Sequence, residues 1–201
     1  HPWRAALQRR GHLQDYVQER ETQTNGMRVF QPSVVPGLLQ TAEYARRVFA
    51  LFQVPYTEAD VAAAVAARLH RQLALYEVDR RFDFLVTEAA LRWRPGPQRL
   101  LLAQLDRIHS ISTLDNVMIG VIPSNQEATT FTSHGFVIYD GDRDADRSVS
   151  VEIVHATVEV LAASDVDMYR ERWDQLGRMA LHGDEARQFL ATLSAEIRDQ
   201  V

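Results

Sequence analysis

Apolar positions along this chain recur at two spacings, helical in some stretches and alternating in others, and the switches between them mark out its elements. From His12 to Gln23, Leu13, Tyr16 and Val17 fall on one helical side, and Asn25-Gly26 is a turn signal that ends the stretch. A short extended piece, Met27 to Phe30, follows. Pro32 and Pro36 disfavour helix at the residues before them, and Gly37 permits an unusual backbone angle, so Pro36 to Gln40 reads as a tight buried connector. Thr41 then caps a helix carrying Tyr44, Ala45, Val48, Phe49 and Phe52 on one side. Thr57-Glu58-Ala59-Asp60 is an acidic form of the capping box and opens a helix that runs to about Tyr76.

Phe82 to Glu88 alternates as a strand, and Pro95 to Pro97 is a turn before a leucine-rich helix from Leu100 to about Ile111. Val117 to Ile122 is a continuous apolar run of strand length, which predicts a central strand. Phe136 to Tyr139 and Ser148 to Leu161 read as two more strands, the second long enough to break, joined by the polar loop Asp140 to Arg147. Ser164-Asp165-Val166-Asp167 resembles a second capping box, opening a helix with Tyr169, Trp173, Leu176 and Ala180 inward. A last amphipathic helix carries Ala186, Phe189, Leu190, Leu193 and Ile197. The expected fold class is α+β: helices packed on a small, mostly antiparallel sheet of about four strands, with two C-terminal amphipathic helices offering a dimer or partner surface.

Composition narrows the chemistry. The 201 residues, 46% of them hydrophobic, suffice for one substantial core, so residues 1–201 read as a single domain. There is no cysteine, which removes disulfides, thiolate nucleophiles and sulfur-ligated zinc and fits a cytoplasmic location. No apolar run is long enough to cross a bilayer. The start, His1-Pro2-Trp3-Arg4, lacks an initiating methionine, which reads as a fragment. A formal charge of −5 spread along the chain argues against nucleic-acid binding by this piece itself.

One constellation resists a bland reading. With Val61 at zero on a helical wheel, Val65, Leu69 and Tyr76 define a buried stripe, yet Arg68 and Gln72 point into it. A buried arginine needs a partner, because an unpaired interior charge costs several kcal/mol. Glu88 continues the strand face of Phe82, Phe84 and Val86, so Arg68 and Glu88 are expected to pair, either as a structural ion pair or as the polar floor of a ligand pocket. Glu152, with Ser148 and Ser150 on its strand face, is either an exposed rung or a second carboxylate lining a cleft. Arg92-Trp93-Arg94 is either a solvated loop anchored by its tryptophan or a grip for an anionic ligand or acidic partner.

Three separated segments carry a family resemblance: Val35-Pro36-Gly37-Leu38-Leu39-Gln40-Thr41-Ala42-Glu43-Tyr44-Ala45-Arg46, Arg68-Leu69-His70-Arg71-Gln72 and Thr87-Glu88-Ala89-Ala90-Leu91-Arg92. In order and spacing they resemble the domain of unknown function that follows an Xre-type helix-turn-helix in many actinobacterial transcription regulators. Gln104-Leu105-Asp106-Arg107-Ile108, Asn116-Val117, Phe136 and Val151-Glu152 extend the likeness over nearly the whole chain. The resemblance implies a sensing domain whose DNA-binding half lies outside this sequence. Its partner would be an unknown small molecule or a small protein encoded beside it. Leu39, Gln40, Tyr44, Arg68, Arg71, Gln72, Glu88, Arg92, Trp93 and Glu152 are the candidate ligand- or partner-binding residues.

No catalytic residue, metal site or cofactor is expected. The seven histidines form no His-Glu-x-x-His pair, and the spaced aspartates Asp140, Asp142, Asp144 and Asp146 lack the glycine and closing glutamate of a calcium loop. Three classes stay distinguishable. A ligand sensor requires an enclosed apolar cavity reaching Glu88, and a protein-binding module an exposed apolar groove. An enzyme would use Glu88 and Glu152 for proton transfer as open, solvent-reachable carboxylates.

Overall fold

A computed structural model describes residues 24–51, 57–141, 147–153 and 156–199. The amphipathic stretch from His12 to Gln23, Phe52 and most of the acidic loop after Asp140 lie outside the described residues. β1 (Gly26–Gln31), the short extended piece of the sequence reading, is an interior strand of a six-stranded sheet. On one side it pairs in parallel with β2 (Arg81–Thr87), which pairs in parallel with β3 (Val117–Ile122). On the other side β4 (Phe136–Asp140), β5 (Ser148–Ile153) and β6 (Ala156–Val160) follow as antiparallel neighbours, giving the order β3-β2-β1-β4-β5-β6.

The α+β class holds, but the sheet has six strands and is mixed. Parallel neighbours need long crossovers, and the two helical stretches before β2 and β3 supply them. The first crossover holds a 3-10 turn (Gly37–Leu39), α1 (Ala42–Leu51), α2 (Glu58–Arg71) and a second 3-10 turn (Gln72–Tyr76). The second holds the short α3 (Glu88–Arg92) and α4 (Gln98–Ile111). The run from Ser148 to Leu161 is the β5–β6 hairpin rather than one long strand.

Val117 to Ile122 is an edge strand, not a central one. Its apolar run is explained by cover rather than by strand neighbours. Val121 exchanges backbone hydrogen bonds with Leu181 at 3.0 and 2.8 Å, and Leu85 and His182 crowd Gly120 so closely that a Cβ there would lie 2.6 Å from Leu85 Cδ2. Any larger residue there would force the Leu85 and His182 side chains to shift.

Two helices close the chain, α5 (Ala163–Gly177) and α6 (Gly183–Arg198), and both pack on the sheet. α6 buries Ala186, Leu190, Leu193 and Ile197 with α4 against the face bearing Val29, Phe82, Phe84 and Val121. α5 lays Val166, Trp173 and Leu176 on the opposite face with Phe136, Val149 and Val151. The capping box at Thr57 forms as the sequence predicts: Thr57 Oγ1 accepts from Asp60 N at 3.2 Å, and Asp60 accepts from Thr57 N at 2.9 Å. The one expected at Ser164 does not, because the helix already begins at Ala163 and no side chain caps it.

Candidate functional site

The connector from Val35 to Thr41 crosses the interior, where each backbone polar group needs a partner. Three glutamines provide most of them. Gln40 Nε2 donates back to Val35 O at 2.7 Å. Gln72, at the C-terminal end of α2, donates to Gly37 O and Gln40 O at 3.0 and 2.7 Å. Gln104, on α4, donates to Leu39 O at 2.7 Å and accepts from Thr41 N at 2.8 Å. Tyr44 Oη lies 3.5 Å from Val35 N, and Thr41 Oγ1 caps α1 by accepting from Tyr44 N. The connector is thus clamped between two helices by amide groups, which match backbone donors and acceptors without carrying charge.

Arg68 enters this clamp from the side. Its Nη1 donates to Gln40 Oε1 at 2.6 Å, and its guanidinium lies 4.3 Å from the centre of the Phe49 ring. Gly37 makes room for it, since a Cβ there would stand 3.3 Å from Arg68 Nε. The glycine therefore serves close approach and not an unusual backbone angle; among the described residues only Gly183 has a positive φ. The network has one arm toward solvent. Arg107 Nη2 reaches Gln72 Oε1 at 3.5 Å, and its Nη1 donates to Tyr76 Oη at 3.2 Å.

Arg68 and Glu88 do not pair. The β alternation stops at Thr87, whose Oγ1 donates to Pro32 O at 2.6 Å and accepts from Ala90 N, turning the chain into α3 with Glu88 in its first turn. Both Glu88 oxygens are engaged there: Oε1 accepts from Arg92 Nε at 2.6 Å, and Oε2 accepts from Ser124 N at 2.8 Å and Ser124 Oγ at 2.6 Å. Burial pushes the Glu88 carboxyl up, but the Ser124 donors and the Arg92 guanidinium outweigh it and hold the group below the ordinary glutamate value. Arg92 continues to Glu196 at 2.7 Å, tying α3 to α6.

Of the ten candidate residues, the fold brings Leu39, Gln40, Tyr44, Arg68 and Gln72 together in the clamp. Leu39 contributes its carbonyl there while its side chain is buried in the core. Trp93 touches the group from outside, edge-on to the Tyr44 ring at 6.2 Å. Arg71 ends α2, half-buried. Glu88 and Arg92 form the separate corner with Ser124. Glu152 is an exposed rung on β5, far across the sheet order from β2, and lines nothing in common with Glu88. The sequence reading missed Gln104 and Ser124 as site residues. Gln104 carried a signal, a polar residue between Leu100 and Ile108 on a buried helical stripe, the same oddity that singled out Arg68 and Gln72. Ser124 follows a strand and carried none.

An open recess of about 580 Å³ lies at the N-terminal ends of β2 and β3, lined by Tyr76, Asp79, Leu114, Asp115, Asn116 and Met118 among others. It is open to solvent and sits at the opposite ends of those strands from Glu88, so it is not the enclosed cavity reaching Glu88 that the sequence led us to expect of a ligand sensor. Asn116 Nδ2 stands within 3.1 Å of the carbonyls of Leu75, Glu77 and Arg80 and so pins the wall of the recess. Among the described residues no cluster of His, Asp and Glu could hold a metal ion, and no helix is long and apolar enough to cross a membrane. Asp140, first of the spaced aspartates, is ion-paired with Arg28 at 3.1 Å.

A mixed α+β domain with a glutamine-clamped connector is what this geometry defines. The chain belongs to the family described as Domain of unknown function (DUF5753), whose model matches residues 13–192. Comparison with curated proteins found no significant match.

Proposed function

We propose that this domain is the regulatory half of a cytoplasmic, actinobacterial Xre-type helix-turn-helix transcription regulator, and that it acts by binding an effector and not by catalysis. Its DNA-binding half lies outside this sequence, and the effector occupies the recess beside Tyr76 and Met118. The observation that carries this reading is the hydrogen-bonded chain from Tyr76 through Arg107 to Gln72, which joins the rim of the recess to the buried connector. A ligand that moves Tyr76 changes what Arg107 and Gln72 can hold, and its differential affinity for two connector arrangements is what shifts the regulator between states. Against an enzyme stand the engagement of both Glu88 oxygens by Ser124 and Arg92 and the position of Glu152 on another strand.

The test is a reporter driven by the regulator's own promoter, together with native mass spectrometry of the protein from its host. Met118→Trp narrows the recess. The variant is expected to melt like the parent, to lose a co-purifying small molecule and to fix reporter output at one level. A variant that retains the same bound mass and responds as the parent does would contradict the reading.

A further inference from the structure

The outer side of α2 carries a pattern that the fold does not use. Ala59, Ala62, Ala66 and Leu69 on α2, and Leu73 and Tyr76 on the 3-10 turn that continues it, recur at alternating spacings of three and four residues, and all six are exposed. Leu69, Leu73 and Tyr76 are 36%, 59% and 53% exposed. The domain's own packing lies on the other side, where Val61, Ala64 and Val65 meet Ala45 and Phe49 and where Arg68 and Gln72 reach the connector. An apolar seam that no described residue covers marks an interaction surface.

We infer that the seam is a self-association surface on which a second copy of this chain docks with its α2 antiparallel, across a two-fold axis passing between Ala66 and Leu69. Shape decides both the occupant and the direction. The first half of the seam is alanine and the second half is leucine and tyrosine, so an antiparallel copy sets Leu73 against Ala62 and Tyr76 against Ala59, large on small at each level. A parallel copy would stack tyrosine on tyrosine at one end and leave alanine facing alanine across a gap at the other.

Charge points the same way. Glu58 stands at the alanine end and Arg107 at the tyrosine end, while Asp60 is already held by Thr57. Of the acids near Tyr76, Glu77 is already held by Arg80 at 3.2 Å, which leaves Asp79 as the remaining like charge there. Antiparallel helix dipoles also oppose one another favourably. A two-helix contact is small beside the roughly 800 Å² per partner of a standard interface, so a weak, concentration-dependent dimer is expected. The inference goes beyond the effector reading and does not rest on it.

Sedimentation of the 201-residue chain across low to several hundred micromolar tests it. A concentration-dependent dimer is expected, and Leu73→Glu should return it to monomer while leaving the melt of the dilute protein unchanged. The chain has no cysteine of its own. A mixture of Ala62→Cys and Leu73→Cys chains should therefore cross-link with each other under mild oxidation, and neither should cross-link with itself. A monomer at every concentration, a dimer indifferent to Leu73→Glu, or Leu73→Cys chains linking to themselves would each overturn the proposal.

Discussion

The two sides of the segment from Glu58 to Tyr76 invert the usual division of a surface helix. Toward its C-terminal end the inward side presents Arg68 and Gln72, and the outward side presents Leu69, Leu73 and Tyr76. The inward polar groups are tolerated because a buried connector offers them carbonyls and an amide oxygen at hydrogen-bond distance. Among the described residues nothing covers the outward apolar groups. Polarity on this helix therefore records what each side meets: backbone on one side, another molecule on the other. The same contrast separates the clamp from the Glu88 corner, since one is built from uncharged amides and the other from an ionised carboxylate.

The largest effect is expected from removing the amide that α4 presents to the same connector from its other side. Gln104→Leu leaves Leu39 O and Thr41 N unsatisfied in the interior, and at about 1–3 kcal/mol for each orphaned group urea melts should show a loss of about 3–5 kcal/mol. Next come Arg68→Ala and Glu88→Gln, each expected to cost about 2 kcal/mol through its own network. Because those networks share no partner, the double variant should equal the two losses combined to within about 0.5 kcal/mol. A larger coupling would restore the pairing that the hydrogen bonds here exclude.

Titration sharpens the contrast further. With its folded pKa held below the ordinary 4.5, Glu88 contributes stability that is present above that value and fades as pH falls through the lower folded one. Glu88→Gln should flatten that acid limb, whereas Gln104→Leu should leave its shape alone. Tyr44 works in the opposite sense. Burial pushes its phenol up to about 12 from 10.0, so its contribution is complete below pH 10 and is lost as pH rises toward 12. Tyr44→Phe should remove that alkaline loss and cost about 1 kcal/mol or less at neutral pH, since the bond to Val35 N is long.

Element types were largely readable from the sequence because periodicity and capping are local properties. The box at Thr57, the connector from Pro36 to Gln40 and the two C-terminal helices follow from short-range rules, and the structure has them. Strand order did not follow. Nothing local distinguishes Val117 to Ile122 sealed at an edge by Leu181 from the same run buried between strands. Arg68 and Gln72 were correctly read as inward, but their partner was not, since pairing with Glu88 presumed that strand alternation continues past Thr87. The helical wheel places Leu69 and Tyr76 in the buried stripe, yet both are exposed. The α-helix ends at Arg71 and the following turn is 3-10, so the wheel no longer applies at Tyr76.

The most direct test of this account is a paired melt, at dilute concentration, of two variants one residue apart. Gln72→Leu makes the inward side more apolar and should lose about 1–3 kcal/mol, because Gln40 O loses its donor and Gly37 O keeps only Gln40 N at 3.3 Å. Leu73→Ser makes the outward side more polar and should change stability by no more than about 0.5 kcal/mol. The reverse ranking, with Leu73→Ser the damaging change and Gln72→Leu neutral, would contradict the claim that this helix is held inside by its polar residues and leaves its apolar seam for another molecule.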